Sequence, residues 1–321
     1  MRIKILRFVF LMVVLALIYV GYNQYPRLNI LAGYSAKNMN SSIFLAGRTF
    51  HFTDQTDNNF SPVNLASDTF DNRKMTTEAT VYGLLTRKAI YRDGLGSVLV
   101  PEDYEEAPVF STPKRVIKDT NLSYPYGDLP QKDTLFQYID YDTLTKAVEM
   151  AFDSINKTRA VLILHKDQII AEKYADGFDK NSKILGWSMT KSITGTIIGI
   201  LQSQERLNVN DNAPIDSWKN DERSEITIQN LLQMNSGLEW DEDYNNISDV
   251  TKMLFMSKNM GAVQEGKQFV GKPNDTWNYS SGTSNLLSNI SRSYFKTHQA
   301  YLDFWYCGLI DKKGMHSMTI E

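Results

Sequence analysis

One run of apolar side chains, Phe8 to Tyr22, constrains what this chain can become more than any other feature. With Ile5 and Leu6 it approaches about 20 residues, the length of a helix that crosses a bilayer. The residues before it are basic (Arg2, Lys4, Arg7), which favours an N-terminus kept inside and a remainder that is exported. No small-x-small cleavage site lies beyond it, because Tyr19-Val20-Gly21-Tyr22-Asn23-Gln24 lacks the paired small residues. Residues 1–24 therefore read as an uncleaved membrane anchor, with a cleaved signal segment as the other reading. The rest is expected at the cell membrane, facing the periplasm or the exterior.

Composition narrows the partners. With 321 residues, 42% of them hydrophobic and 22% charged, the chain can bury a sizeable core and does not resemble a disordered one. A net charge of −3 gives no reason to expect nucleic acid. The lone cysteine, Cys307, excludes an internal disulfide. Its neighbours Phe304, Trp305 and Tyr306 predict a buried, unreactive thiol. The four histidines (His51, His165, His298, His316) lack metal-ligand spacing and no Gly-rich phosphate loop occurs, so neither metal nor cofactor is expected. That leaves a small molecule as the expected ligand, with the membrane reached through the N-terminal segment.

Ser188-Met189-Thr190-Lys191 carries the clearest chemical signal. A serine hydroxyl is a poor nucleophile at neutral pH and needs a base within hydrogen-bond reach. Residues three apart share one helix face, so Lys191 can reach back to Ser188. The first helical turn also favours developing negative charge. Such a Ser-x-x-Lys points to acyl transfer. The same spacing recurs at Ser111–Lys114, Ser154–Lys157 and Ser293–Lys296. Pro113 argues against a helix in the first. The second falls late in an amphipathic helix expected over 141–156, and the third is expected on a helix surface. Only Ser188 comes after a loop and precedes a run of small and branched apolar residues, Ser192 to Leu201. That run reads as a buried helix with close-packing glycines.

A second element, Trp277-Asn278-Tyr279-Ser280-Ser281-Gly282-Thr283, precedes another helical stretch expected over 284–294. A tyrosine with a small polar residue two positions later can bring a phenol and a hydroxyl to one pocket. A phenol beside a lysine is a plausible proton shuttle. An aromatic packed at a turn is the alternative reading of Tyr279.

Four stretches carry a family resemblance. Gly186 to Ser192 resembles a nucleophile motif, and Tyr279 to Gly282 a Tyr-x-Asn or Tyr-Ser-Ser element. Ile226 to Leu238 resembles a structural signature between them. Val161 to Tyr174, with its Lys166-Asp167 turn, resembles the opening hairpin of a sheet. Together they are similar to the serine β-lactamase-related superfamily: class C β-lactamases, D-alanyl-D-alanine peptidases, and related esterases and amide-oligomer hydrolases. The resemblance runs from about Thr143 to the C-terminus. It implies an α+β fold, an antiparallel sheet flanked by a helical subdomain. It also implies a serine hydrolase that forms an acyl-enzyme on an ester, amide, peptide or β-lactam bond. Ser188 would be the nucleophile, Lys191 would hold or accept its proton, and Tyr279 would assist as general base and acid. Ser281, where many relatives carry asparagine, would bind substrate. The Ser188 N–H would form half of an oxyanion hole.

The resemblance also shows what differs. The family's third motif, Lys-Thr-Gly or His-x-Gly on an edge strand, does not occur, since His316 is succeeded by Ser317-Met318. That strand supplies the second oxyanion donor, and losing one such donor costs about 100- to 1000-fold in rate. A shortened family member lacking the C-terminal strands is the expectation. A catalytically silent chain or binding protein therefore stands as the alternative to the hydrolase. The expected organisation is an anchor over 1–24, an N-terminal extension of unassigned role over 25–136, and a partial hydrolase domain over 137–321. In that extension, Gly33 to Lys37 and Gly47-Arg48 resemble an extension of some exported relatives. Short apolar runs such as Ser42 to Ala46 and Ser97 to Val100 predict mixed loops and short strands.

Overall fold

The computed structural model describes residues 2–101, 110–117, 121–127, 129–132, 134–153 and 155–321. In chain order the elements are helices α1 (Arg2–Asn40) and α2 (Phe50–Gln55), then strands β1 (Ala66–Asp71), β2 (Thr76–Val81), β3 (Leu85–Arg92) and β4 (Gly96–Leu99). Helix α3 (Tyr141–Ala151) and strands β5 (Ala160–His165) and β6 (Gln168–Tyr174) come next. The later helices are α4 (Thr190–Ser203), α5 (Ile228–Leu232), α6 (Asp249–Met256), α7 (Met260–Glu265) and α8 (Ser281–Ser293). They fall into two compact units: Met1–Thr112 with Gly186–Tyr301 and Ile320–Glu321, and Pro113–Leu185 with Leu302–Thr319.

In the first unit α1 changes character along its length. Its first half is exposed and is long and apolar enough to cross a membrane, by length and composition. Its second half presents Leu28, Leu31, Ala32, Ser35, Ala36 and Met39 on one face, the spacing of an amphipathic helix. Leu31, Ala32, Ala36 and Met39 are buried. They meet a four-stranded antiparallel sheet of order β1-β2-β3-β4, whose registers run Ala66↔Val81, Thr76↔Ile90 and Ala89↔Leu99. Successive strand side chains point to opposite faces, so Thr77, Ala79 and Val81 on β2 and Leu85, Arg87 and Ala89 on β3 all face the helix. Leu31 and Ala32 cluster with Val63, Val81 and Leu85, while Ala36 clusters with Ala79 and Ala89. Small residues there bring the helix close enough for the Thr77 hydroxyl to donate to the Ala36 carbonyl at 2.6 Å. Arg87 is buried and donates to the Phe255 carbonyl on α6 at 2.6 Å, tying the sheet to the helical part of the same unit.

The expectation of mixed loops for the extension is corrected here. From Asn29 to Leu99 the chain is mostly core helix and sheet, and Ser41–Leu45 is a π-helical turn continuing α1. Of the Ser97–Val100 run, Ser97 to Leu99 lie in strand β4.

The helical half of the unit is built on caps. Thr227 accepts from Asn230 N at 3.1 Å and the Asn230 side chain answers to Thr227 N, a reciprocal cap that starts α5. Helix α5 ends at Leu232, and Met234 takes the left-handed position (φ 57°). Gly237 (φ 77°) has a stricter duty, because a Cβ there would lie 1.8 Å from the Gly271 carbonyl oxygen. We expect Gly237→Ala to lose more than about 2 kcal/mol in urea unfolding, from backbone strain and overlap together.

Helix α4 buries Thr194, Ile197, Ile198 and Leu201. Its glycines do not close-pack as expected: a Cβ on Gly195 or Gly199 would meet nothing within 4 Å. Helix α8 starts at Ser281, earlier than expected, and ends at Ser293, so Lys296 lies beyond it and not on a helix surface.

In the second unit Asp140 caps α3 by accepting from Thr143 N at 3.0 Å. The helix stops at Ala151, short of the expected Asn156, and Ser154 of the second Ser-x-x-Lys lies outside the described residues. Strands β5 and β6 form the expected hairpin, with Lys166 (φ 48°) and Asp167 (φ 59°) making a left-handed two-residue turn. Its inward face is only half-buried, and Leu162 and Leu164 remain exposed. Arg115 donates through Nε and Nη2 to the buried Asp311 at 2.9 and 2.6 Å. Cys307 is half-buried, not fully buried, and donates to the Lys114 carbonyl at 3.2 Å. Burial pushes its thiol up.

Candidate active site

Ser188 sits in a single 3₁₀ turn, Trp187–Met189, that leads directly into α4. Met189 N donates to the Gly186 carbonyl at 2.9 Å and the Thr190 hydroxyl to the Trp187 carbonyl at 2.7 Å. These bonds wind the turn and leave the Ser188 side chain exposed. Trp187 pays for the turn with a left-handed backbone (φ 41°), a conformation that costs a bulky residue of order 1–3 kcal/mol. Its indole stacks on Tyr34 of α1, with ring centroids 6.2 Å apart and planes 17° from parallel.

Lys191, three residues on, reaches back as its spacing requires, with Nζ 3.2 Å from Ser188 Oγ. The same Nζ lies 3.0 Å from Ser281 Oγ at the head of α8, and 4.8 Å from the centre of the Tyr279 ring. The structure thus brings Ser188, Lys191, Tyr279 and Ser281 together around one ammonium group. Tyr279 meets that group with its ring face, while the Ser281 hydroxyl makes the hydrogen-bond contact.

Sequence reasoning missed the carboxylate behind Ser281. Glu242 accepts from Ser281 N at 2.9 Å, from the Ser281 hydroxyl, from Trp240 Nε1 and from the Tyr244 hydroxyl at 2.7 Å. Half-burial alone would push this carboxyl up, but the donors from Ser281, Trp240 and Tyr244 outweigh it and hold the group below the usual glutamate range. Tyr244 is pushed up to about 12 by burial of its hydroxyl and by the facing carboxylate, against the pull of its 3.3 Å contact with Ser281. It stays a donor at neutral pH.

The signal that could have found Glu242 was spacing: Trp240 and Tyr244 stand two residues to either side of it, and both donate to its carboxylate. It was hidden in an acidic run that reads as a loop. Asn278 ties the segment before α8 to Trp240 by donating to its carbonyl at 3.1 Å. Ser280 caps α8 by accepting from Thr283 N at 2.9 Å. Gly282 leaves room for the Trp240 ring, which a Cβ there would meet at 2.5 Å.

The arrangement makes Lys191 a donor to Ser281 and Ser281 a donor to ionised Glu242, a directed chain that fixes the amine beside Ser188. Because the folded carboxyl titrates below its ordinary value (about 4.3), its contribution to stability is present above that value and is lost as pH falls through the folded one. We expect the difference in melting temperature between the wild-type chain and Glu242→Gln to be full near neutral pH and to shrink in acid. A difference independent of pH would show that the carboxylate charge does no such work. Among the described residues, no group of three His, Cys, Asp or Glu side chains could hold a metal ion.

An α+β chain with a Ser-x-x-Lys turn at a helix head, faced by a second helix head, defines a class of serine-hydrolase type. The Beta-lactamase family model matches residues 156–320, and the chain belongs to that family. Solved structures similar to it include a Bacillus anthracis protein assigned as a 6-aminohexanoate-dimer hydrolase. That pair is 21% identical with a TM-score of 0.42, over 52% of this chain and 46% of the other. A Bacteroides dorei protein assigned as a β-lactamase is 17% identical with a TM-score of 0.39, over 48% and 46% of the two chains. The chain thus covers less than half the length of these structures. No curated protein sequence matches it.

Proposed function

We propose that this protein is a membrane-anchored serine hydrolase that opens an ester, amide or β-lactam bond through an acyl-enzyme. One observation carries the reading: Lys191 Nζ stands within hydrogen-bond reach of the exposed Ser188 hydroxyl at a helix head. In the deprotonated form Lys191 accepts the Ser188 proton as Oγ attacks the acyl carbon. The resulting oxyanion lies near the N–H groups of the helix head, where negative charge is favoured. Lys191 then returns the proton to the leaving group, with Tyr279 beside it as a second proton carrier. Water releases the acyl group by the reverse path.

The anchor reading rests on α1, whose first half carries a run long and apolar enough to cross a membrane, with Phe8, Phe10, Leu11, Ile18 and Tyr22 exposed. The organisation into an anchor, an extension and a hydrolase region, and the location of the last outside the membrane, belong to the same proposal. Ser281 is proposed to orient substrate and Lys191 together.

Stopped-flow hydrolysis of chromogenic esters, anilides and a cephalosporin tests the reading. A burst of product equal to the enzyme concentration, then slower turnover, is the expected result. No burst with any of the three from a cooperatively folded protein would favour a silent binding pocket. Tyr279→Phe is expected to slow the burst by about 10- to 100-fold, because one proton carrier is lost while the ring against Lys191 remains.

A further inference from the structure

Helix α1 has no part in the chemistry proposed above, yet it reaches the nucleophile turn. Tyr34 lies on the half of α1 that packs on the four-stranded sheet, and its ring packs against Phe60, Phe255 and Trp187. Phe60 stands edge-on at 5.5 Å, Phe255 of α6 tilts against it at 5.8 Å, and Trp187 stacks at 6.2 Å. Phe60 and Phe255 fix Tyr34 from two sides, so the stack on Trp187 is made by a ring with little freedom of its own. Trp187 is itself half exposed and occupies the left-handed region, which a residue with a large side chain leaves unless its surroundings hold it there. Ser188 is the next residue.

We propose that Tyr34 positions the nucleophile: its stack holds Trp187 in the left-handed conformation, and that conformation aims Ser188 Oγ at Lys191. Tyr34 acts on the nucleophile through its stack on Trp187. The N-terminal helix is thereby a working part of the active site and not only an anchor. This rests on the reading of Ser188 as the nucleophile.

The test is the inactivation rate of the full chain by a fluorophosphonate, resolved into kinact and KI. Misplacement of a reacting group by a fraction of an ångström is costly, so Tyr34→Leu is expected to lower kinact by about tenfold while KI stays within about twofold. Tyr34→Phe keeps the stacked ring and is expected to match the wild-type chain. Glycine adopts left-handed backbone without support, so in a Trp187→Gly background Tyr34→Leu is expected to change kinact by less than about twofold.

Wild-type kinact in Tyr34→Leu, or the same loss in both backgrounds, would overturn the proposal. Should Tyr34→Leu fail to fold, Trp187→Leu against Trp187→Gly decides. Leucine loses the stack and keeps the backbone penalty, so it is expected to react more slowly than glycine, and equal rates would overturn the proposal. If the wild-type chain takes no label at Ser188, the nucleophile reading fails first and the positioning role with it.

Discussion

Ser188→Ala is expected to abolish covalent labelling by a fluorophosphonate and to leave cooperative unfolding unchanged. The two halves of this expectation have separate causes. Labelling needs a nucleophilic oxygen, and Ser188 Oγ is the hydroxyl that a lysine amine approaches at an exposed helix head. Folding does not need it. The turn is wound by the backbone of Gly186 and Met189 and by the Thr190 hydroxyl, and the Ser188 side chain is exposed, so its removal opens no cavity. Exposed substitutions of this kind usually stay within about 0.5 kcal/mol. Labelling that survives in Ser188→Ala would take the nucleophile role away from this residue.

Lys191→Met is the second large effect. The methionine keeps an unbranched stem of similar length in a half-buried position, but it can neither accept the Ser188 proton nor donate to Ser281. A positioned general base contributes about 100- to 10,000-fold, so the inactivation rate should fall by that order while the melting temperature changes by only a few degrees. Loss of rate by less than about threefold would mean that Ser188 reacts without Lys191, and the directed chain from Lys191 through Ser281 to Glu242 would then serve stability alone.

The site was more legible in the sequence than the fold around it. Ser188 and Lys191 announce themselves because a local spacing, three residues on one helix face, carries the chemistry. Tyr279 and Ser281 emerge from a short motif ahead of a helix cap. Glu242 does not, since its significance lies in donors from Trp240, Tyr244 and Ser281 that only the folded chain gathers.

The four-stranded sheet escaped notice for a different reason. Its inward face mixes Val81 and Leu85 with Thr77, Ala79, Arg87 and Ala89, the last four too small or too polar to extend an apolar alternation along the strands. Ala79 and Ala89 are small where Ala36 of α1 packs on them, a constraint set by a distant segment. The glycines of α4 misled in the opposite direction. Gly195 and Gly199 look like packing residues in an apolar run, yet open space faces both. The hairpin at Lys166-Asp167 was legible because turn geometry and strand propensity agree locally.

Helix α1 joins these observations. The helix that carries the apolar run continues, through Pro26, into the face that bears Leu31, Ala32, Ala36 and Met39. Any processing that removed residues beyond Leu28 would therefore strip core from the unit that holds Ser188.

The most direct measurement is the position of the covalent adduct. The full chain, folded and treated with a fluorophosphonate, would be digested with trypsin and its peptides mapped by mass spectrometry. A single adduct on Ser188, within the peptide that ends at Lys191, is the predicted result. An adduct on any other residue, or none on a protein that unfolds cooperatively, would contradict the role of Ser188 as nucleophile.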